Sequence, residues 1–339
     1  MNDHDLVFRS GNVQLPLVAG VLFLIVGCGR DAPQPVAPIK SPDANAASKS
    51  AASDDDDLNG QANVPAAAEP LGMLVSVELL QQHLDDRNVR IIDVRSQAEF
   101  DAGHIPGAVP VDFNVWKTLT LKDGGAGLHD QAAWSKIVGG IGIDGATQVV
   151  VYSSSPTSAA RIWWILKYVG VESAGILDGG WNAWKSANAE TEVTTAIVVL
   201  QPVEFEAKFQ DDRLSLIGDL KESHSSADLV VVDARSVAEF EGEGKGRGRI
   251  PGAVRLEWND LLTEEGRYKT KDELAKLFKQ HGITPEKTAI THCQTGGRAS
   301  VNVFAMELAG FGKVKNYYCG WGEWSQDEDA PREQGAPKP

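Results

Sequence analysis

Two kinds of apolar pattern alternate along residues 71–330. Short apolar or β-branched runs, Leu229–Val232 and Thr288–Thr291 among them, have the length and near-continuous hydrophobicity of strands buried on both faces. Between such runs the apolar residues recur at helical spacing. Thr270-x-x-Glu273 is a capping box, and the helix it opens runs through Leu274, Leu277 and Phe278 until Gly282 stops it. After Arg298, the positions Val301, Phe304, Ala305 and Leu308 keep the helical period as far as Gly310. Strands alternating with helices predict an α/β fold in which a parallel sheet is covered by helices on both faces.

The pattern occurs twice. Ile91-Ile92-Asp93-Val94-Arg95-Ser96 returns as Val231-Val232-Asp233-Ala234-Arg235-Ser236, and both continue to Ala-Glu-Phe. Ile105-Pro106-Gly107-Ala108 returns at 250–253, and Gly180-Trp181-Asn182-Ala183-Trp184 returns as Gly320-Trp321-Gly322-Glu323-Trp324. The offset is 140 residues at the first and last of these segments and 145 at the middle one, so the second unit gained five residues between Phe240 and Ile250 and gave them back before Gly282. A duplicated α/β unit predicts domains at 71–190 and 213–330, with a polar linker at 191–212 and a short tail at 331–339. A length of 339 residues agrees with two cores, since single ones rarely grow past about 250–300 residues.

The amino terminus lies outside this pattern. Leu15 to Val26 is an apolar run interrupted by Pro16 and Gly20, shorter than the ~20 residues that span a bilayer but right for a signal-peptide core. It ends in Ile25-Val26-Gly27-Cys28, which resembles the lipobox of bacterial lipoproteins. That resemblance implies a signal peptide over residues 1–27, lipidation of Cys28, and an exported protein held on the periplasmic face of a bacterial membrane. Asp3 and Asp5 beside the single Arg9 depart from the usual basic start. Residues 28–70 are rich in Ala, Pro, Ser and Asp, including the acidic run 54–57. A segment with so little apolar surface to bury reads as a disordered tether. The formal charge of −15 argues against a nucleic-acid partner, which would call for a basic face.

With Cys28 assigned to lipid, Cys293 and Cys319 remain. Cys293 falls at the carboxyl end of a predicted parallel strand and just before a helix, where ligands bind in doubly wound sheets and where helix N–H groups favour an anion. Gln294, Thr295, Gly296 and Gly297 separate it from Arg298. The glycines let the backbone curl into a nest of N–H groups, and Arg298 adds a fixed positive charge. Donors and a cation around a sulfur favour the thiolate, the form nucleophilic sulfur chemistry requires. The duplicate supplies a control. Cys293 corresponds to Ser153 and Arg298 to Ser158, so thiol and guanidinium are lost together while the loop length is kept. That pattern fits one active and one inactive site. Cys319 reads as a bystander, with a resolving thiol or a disulfide to Cys293 as the alternatives. The paired Asp-x-Arg segments read as structural ion pairs, the tryptophans at 181, 184, 321 and 324 as core, and His292 as facing away from the loop.

These motifs, in this order and at this spacing, resemble the tandem-domain rhodaneses, over about residues 71–330. The resemblance implies two rhodanese-like domains, the first inactive, and a sulfurtransferase that needs no metal or organic cofactor. It implies Cys293 as the nucleophile that carries a sulfane sulfur as a persulfide, with Gln294 to Arg298 surrounding that sulfur, and cyanide or a thiol as acceptor. Related phosphatases and arsenate reductases have one more residue in this loop, so the Cys-x4-Arg length favours sulfur. A persulfide relay serving a partner protein is the other reading. The loop matches neither the mercaptopyruvate-type Cys-Gly-Ser-Gly-Val-Thr nor the vertebrate thiosulfate-type loop, and its Cys-Gln-Thr start is closer to some bacterial thiosulfate enzymes. Thiosulfate is therefore favoured over 3-mercaptopyruvate. Vertebrate members place an arginine where this chain has Glu239. A basic stretch, Lys245, Arg247 and Arg249, could compensate, and Arg249 is expected to contact the donor.

Overall fold

The computed structural model describes residues 71–193, 200–242 and 247–336. The signal-peptide, Cys28 and tether expectations, and Lys245 of the basic stretch, lie outside the described residues. The first half runs β1 Leu74–Val75, α1 Val77–Gln81, β2 Val89–Asp93, α2 Gln97–Asp101, β3 Val109–Pro110, α3 Phe113–Leu121, α4 Gln131–Gly140, β4 Gln148–Tyr152, α5 Pro156–Tyr168, β5 Ala174–Leu177 and α6 Gly180–Ser186. The second half repeats this order except that β1 has no counterpart strand and a 3-10 turn, Trp258–Leu261, stands in the place of α3; its elements are α7 Ile217–Ser223, β6 Leu229–Asp233, α8 Val237–Phe240, β7 Val254–Arg255, α9 Lys271–Gln280, β8 Thr288–His292, α10 Gly297–Leu308, β9 Val314–Tyr317 and α11 Gly320–Trp324.

All ladders are parallel, as the buried apolar runs require. The first sheet has the order β1-β5-β4-β2-β3 and the second β7-β6-β8-β9. The duplication accounts for the difference. Leu74 of β1 pairs with Ile176, and at the 140-residue offset Leu214 makes one parallel bridge to Asn316. The fifth strand of the second sheet is thus reduced to a single bridge.

Strand alternation divides each core. Val149 and Val151 of β4 face one side with Ile92, while Val150 and Tyr152 face the other with Ile91. In the second half Val230 and Val232 share the first of these cores, and Val231 and Ile290 pack with Trp321 and Trp324 in a core of their own. One hydrophobic core therefore runs between the two sheets. Its centre is the packing of α5 on α10, the most extensive contact between elements. Phe304 is fully buried there, edge-on to Trp163 at 4.8 Å and against Tyr268 at 4.5 Å. Residues 200–210 lie along the first half: Val203 N–H donates to the Gly139 carbonyl and Lys208 N–H to that of Val169.

The local signals behave as their chemistry dictates. The Thr270–Glu273 capping box opens α9, and Gly282, at φ +69°, ends it. Matching boxes, Ser96–Glu99 and Ser236–Glu239, open α2 and α8. The second of these carries an extra interaction. Arg298, at the start of α10, donates to both oxygens of Glu239, at 2.7 and 2.9 Å.

Two outcomes follow. Phe304→Ala should cost about 3–5 kcal/mol in urea denaturation, the range for truncating a buried aromatic that cannot be replaced by relaxation. Arg298, with the Ser236 bonds, pushes the Glu239 carboxyl down to about 2. A carboxylate lowered in the folded state stabilises above its unfolded value, and that stabilisation is lost as pH falls through the folded one. Glu239→Gln should therefore melt below the native chain near pH 7, and the gap should close as pH drops from about 4.5 toward 2. A gap that persists unchanged down to about pH 3 would contradict the pairing.

Candidate active site

Cys293 follows the last residue of β8, and α10 begins four residues later. Its side chain is 2 % exposed and packs with Ala234 and Ala299. The preceding residue, His292 at the end of β8, points to the other side of the sheet, fully buried, with Nε2 3.5 Å from the Asp233 carboxylate. Burial holds its pKa below the ordinary histidine value, with Asp233 opposing. The alternation that excluded it as a base is the pleat itself.

The loop carbonyls are tied down. The Cys293 carbonyl accepts from Trp321 N–H at 2.7 Å and that of Gln294 from Gly322 N–H at 3.0 Å, both at the start of α11. The Gly296 carbonyl accepts from Ser300 N–H and the Asn316 amide. Because each peptide is planar and trans, a carbonyl turned into the protein sets the N–H of the following residue on the opposite side. The N–H groups of Gln294, Thr295 and Gly297 are thereby turned away from those anchors, and the first N–H groups of α10 have no intrahelical acceptor. The result is a ring of backbone N–H groups at a helix N-terminus beside a sulfur, a geometry suited to an anion.

Both loop glycines are needed for close approach. Gly296 has φ +81°, and a Cβ there would lie 2.6 Å from the ring of Tyr318. A Cβ on Gly297 would lie 2.7 Å from the guanidinium of Arg161, which comes from α5 of the first domain. Arg161 is 5 % exposed and donates to the Tyr318 hydroxyl at 2.9 Å and to Thr295 Oγ1 at 3.2 Å. Sequence reading overlooked this residue. The available signal is a single charge inside the apolar run Ala159-Ala160-Arg161-Ile162-Trp163-Trp164, a position that only tertiary packing could explain.

Of the residues expected to form the site, the structure brings Cys293, Gln294, Thr295, Gly296, Gly297 and Arg298 together. Arg298 is close enough that the Cys293 sulfur, after Glu239, helps hold it above the ordinary arginine range while burial opposes. Its charge is shared with a carboxylate rather than devoted to the loop. Glu239 therefore reaches the edge of the site, but as the partner of Arg298.

Arg249, expected to contact the donor, has partners in the tail segment instead. It is buried, Nε donates to Glu333 at 3.1 Å, another guanidinium nitrogen donates to the Gly335 carbonyl, and the group stacks on Phe240 at 5.0 Å. Its backbone bridges Glu333, as that of His104 bridges Glu192 in the first domain. The position fastens a tail segment in both domains, and the donors expected for a substrate are committed to that work. Asp93–Arg95 and Asp233–Arg235 are buried ion pairs whose guanidinium groups lie over Trp181 and Trp321 at 4.0 and 4.6 Å. Cys319 is a free thiol, as is Cys293. Its sulfur donates to the Gly124 carbonyl, and burial, with Glu323 beside it, pushes it up to about 11.

The serine loop keeps the anchor and loses the rest. Trp181 N–H donates to the Ser153 carbonyl as Trp321 does to Cys293. Ser153 Oγ, however, accepts from Ser155 N–H at 3.2 Å, and Pro156 stands where the active-type loop has Gly296. The donor equivalent to Thr295 N–H is satisfied internally, and the proline ring occupies the position that Gly296 holds in the other loop. A cavity of about 580 Å³ still opens there, lined by Arg95, Asp112, Ser153 and Ser158 among others.

Comparison with known proteins agrees with this geometry. The rhodanese-like domain model matches residues 76–187 and again 216–327. A 3-mercaptopyruvate sulfurtransferase of Escherichia coli K12 is 31% identical over 276 residues, 76% of this chain and 97% of that protein. A thiosulfate sulfurtransferase of Azotobacter vinelandii is 30% identical, over 80% and 98%. The sulfur carrier protein TtuD of Thermus thermophilus is 29% identical, over 78% and 97%. Among solved structures, the anaerobic ergothioneine biosynthesis enzyme of Chlorobium limicola, bound to trimethyl histidine, superposes with a TM-score of 0.70 at 26% identity, covering 78% of this chain and 71% of that one. With both halves matched and whole-length relatives that transfer sulfur, the chain belongs to the rhodanese family and is a sulfurtransferase-type enzyme built from two such domains in tandem.

Proposed function

We propose that this enzyme takes the sulfane sulfur of thiosulfate, in preference to 3-mercaptopyruvate, onto Cys293 and delivers it to cyanide or a thiol. The Cys293 thiolate attacks the outer sulfur of the donor, the donor S–S bond breaks, and sulfite leaves with the electron pair. The acceptor then attacks the outer sulfur of the persulfide and the Cys293 thiolate departs as leaving group. No redox partner is required. The observation that carries this reading is the sulfur seated in a nest whose carbonyls are pinned backward, set against a first-domain copy without thiol or free nest, which we read as inactive.

The donor preference rests on charge. A keto acid adds a carboxylate that calls for its own guanidinium; Arg235, Arg249 and Arg298 are each in an ion pair, and the Arg161 donors are engaged by the Tyr318 and Thr295 hydroxyls. A compact dianion can be held by the loop N–H groups. The similarity to a sulfur carrier protein favours a second reading, in which Cys293 receives its sulfur from a protein and passes it on. From the lipobox-like Ile25–Cys28 segment we also propose export and lipid anchoring at Cys28, on the periplasmic face.

With thiosulfate and cyanide the purified chain should form thiocyanate, and Cys293→Ser should abolish it. Activity persisting in that variant would refute the assignment. Intact mass after thiosulfate alone should show about 32 Da added at Cys293; added mass without small-molecule turnover would favour the relay. Cys28→Ser should move the protein from the membrane to the soluble fraction, and a variant that stays membrane-bound would overturn the anchor.

A further inference from the structure

The charges around Cys293 mostly cancel. Arg235 is paired with Asp233 and Arg298 with Glu239, while burial disfavours the charged form of His292. Arg161 is different. Its partners are the hydroxyls of Tyr318 and Thr295 and the rings of Tyr318 and Phe113, all uncharged, and no carboxylate of the described residues forms a salt bridge with it. A buried guanidinium without a carboxylate is costly to hold. It is tolerable where an anion is to be stabilised nearby.

The duplication makes the point sharper. Helices α5 and α10 are equivalent and pack on each other, and α5 carries Arg161 to the loop of the other domain. The counterpart of Arg161 at the 140-residue offset is Val301, fully buried and apolar. The thiol loop receives a cation from across the interface, and the serine loop does not. Arg161 also fixes the loop's form. It engages a lone pair of Thr295 Oγ1, which leaves that hydroxyl's proton free, and it stands against Gly297 where no side chain could fit.

Resting on the sulfurtransferase reading of the loop, we propose that Arg161 is a positioning residue of the reaction. The domain lacking the thiol supplies the uncompensated positive charge that stabilises anionic sulfur at Cys293, as thiolate before the first transfer and as persulfide after it. The two domains then form one composite site, and the first domain is required for chemistry as well as for packing.

The test uses the full chain and three variants. Arg161→Gln removes the charge. Phe113→Glu keeps the arginine and its packing but sets a carboxylate against it. Arg161→Lys keeps the charge and loses the planar fork. Alkylation of Cys293 by iodoacetamide at neutral pH, read by peptide mass, should slow about tenfold or more in Arg161→Gln and Phe113→Glu, the scale of one charge-assisted interaction, and stay within about threefold in Arg161→Lys. In thiosulfate–cyanide turnover the same loss should fall mainly on kcat, with KM nearly unchanged. Native alkylation rates in Phe113→Glu, or an Arg161→Lys chain as slow as Arg161→Gln, would overturn the proposal. Absence of thiocyanate formation by the native chain would instead count against the sulfurtransferase reading, because the alkylation comparison does not depend on it.

Discussion

The packing of α5 against α10 is the contact on which the rest of this molecule depends. Two parallel sheets, each needing cover on both faces, meet their need on one side with the same pair of helices. The shared core that results contains Trp163, Trp164, Phe304 and Tyr318 at full burial. Because each helix starts at its own loop after the strand equivalent to β4 or β8, joining the helices also brings the two loops near the common interface. The interface is thus a consequence of burying apolar surface, and the site inherits its geometry from it.

Duplication gave the molecule two chances at one site, and the copies diverged by small changes of large effect. The scaffold elements are retained in both: the Asp-x-Arg ion pair stacked on a tryptophan, the tail bridge at His104 or Arg249, and the helix N–H that pins the first loop carbonyl. What differs lies in the two loops and the helix position that meets the cysteine loop. Serine replaces the thiol, proline replaces a glycine that approaches a ring, and α10 has Val301 at the position where α5 has the arginine that reaches Thr295. Interactions that hold the fold do not discriminate between the loops, and the loop residues themselves do.

Glu239 shows how a charge near a site can act through its partner. As an isolated carboxylate it would repel an anionic donor. In the fold it serves both the cap of α8 and Arg298, so it removes positive charge by pairing rather than by adding a negative field. The net field at the sulfur then depends on groups from outside the loop. Arg249 shows the converse, since a basic residue beside an active unit is spent on Glu333 and a backbone carbonyl.

The sequence by itself determined the strand and helix order, the duplication, the capping boxes at Thr270 and its relatives, and the position of Cys293 between β8 and α10. Those features are local or periodic, and their physics acts within a few residues. It also carried the contrast between Cys293 and Ser153, because an internal repeat aligns itself. Only the tertiary structure decided which charges are compensated. Arg161 stands 132 residues before Cys293 in the chain, and nothing in its neighbourhood announces the loop it will meet. Ion pairs such as Arg298–Glu239 and contacts such as Arg161–Thr295 form between residues whose proximity is created by burial of the core, so they become legible only after the two sheets have been brought together.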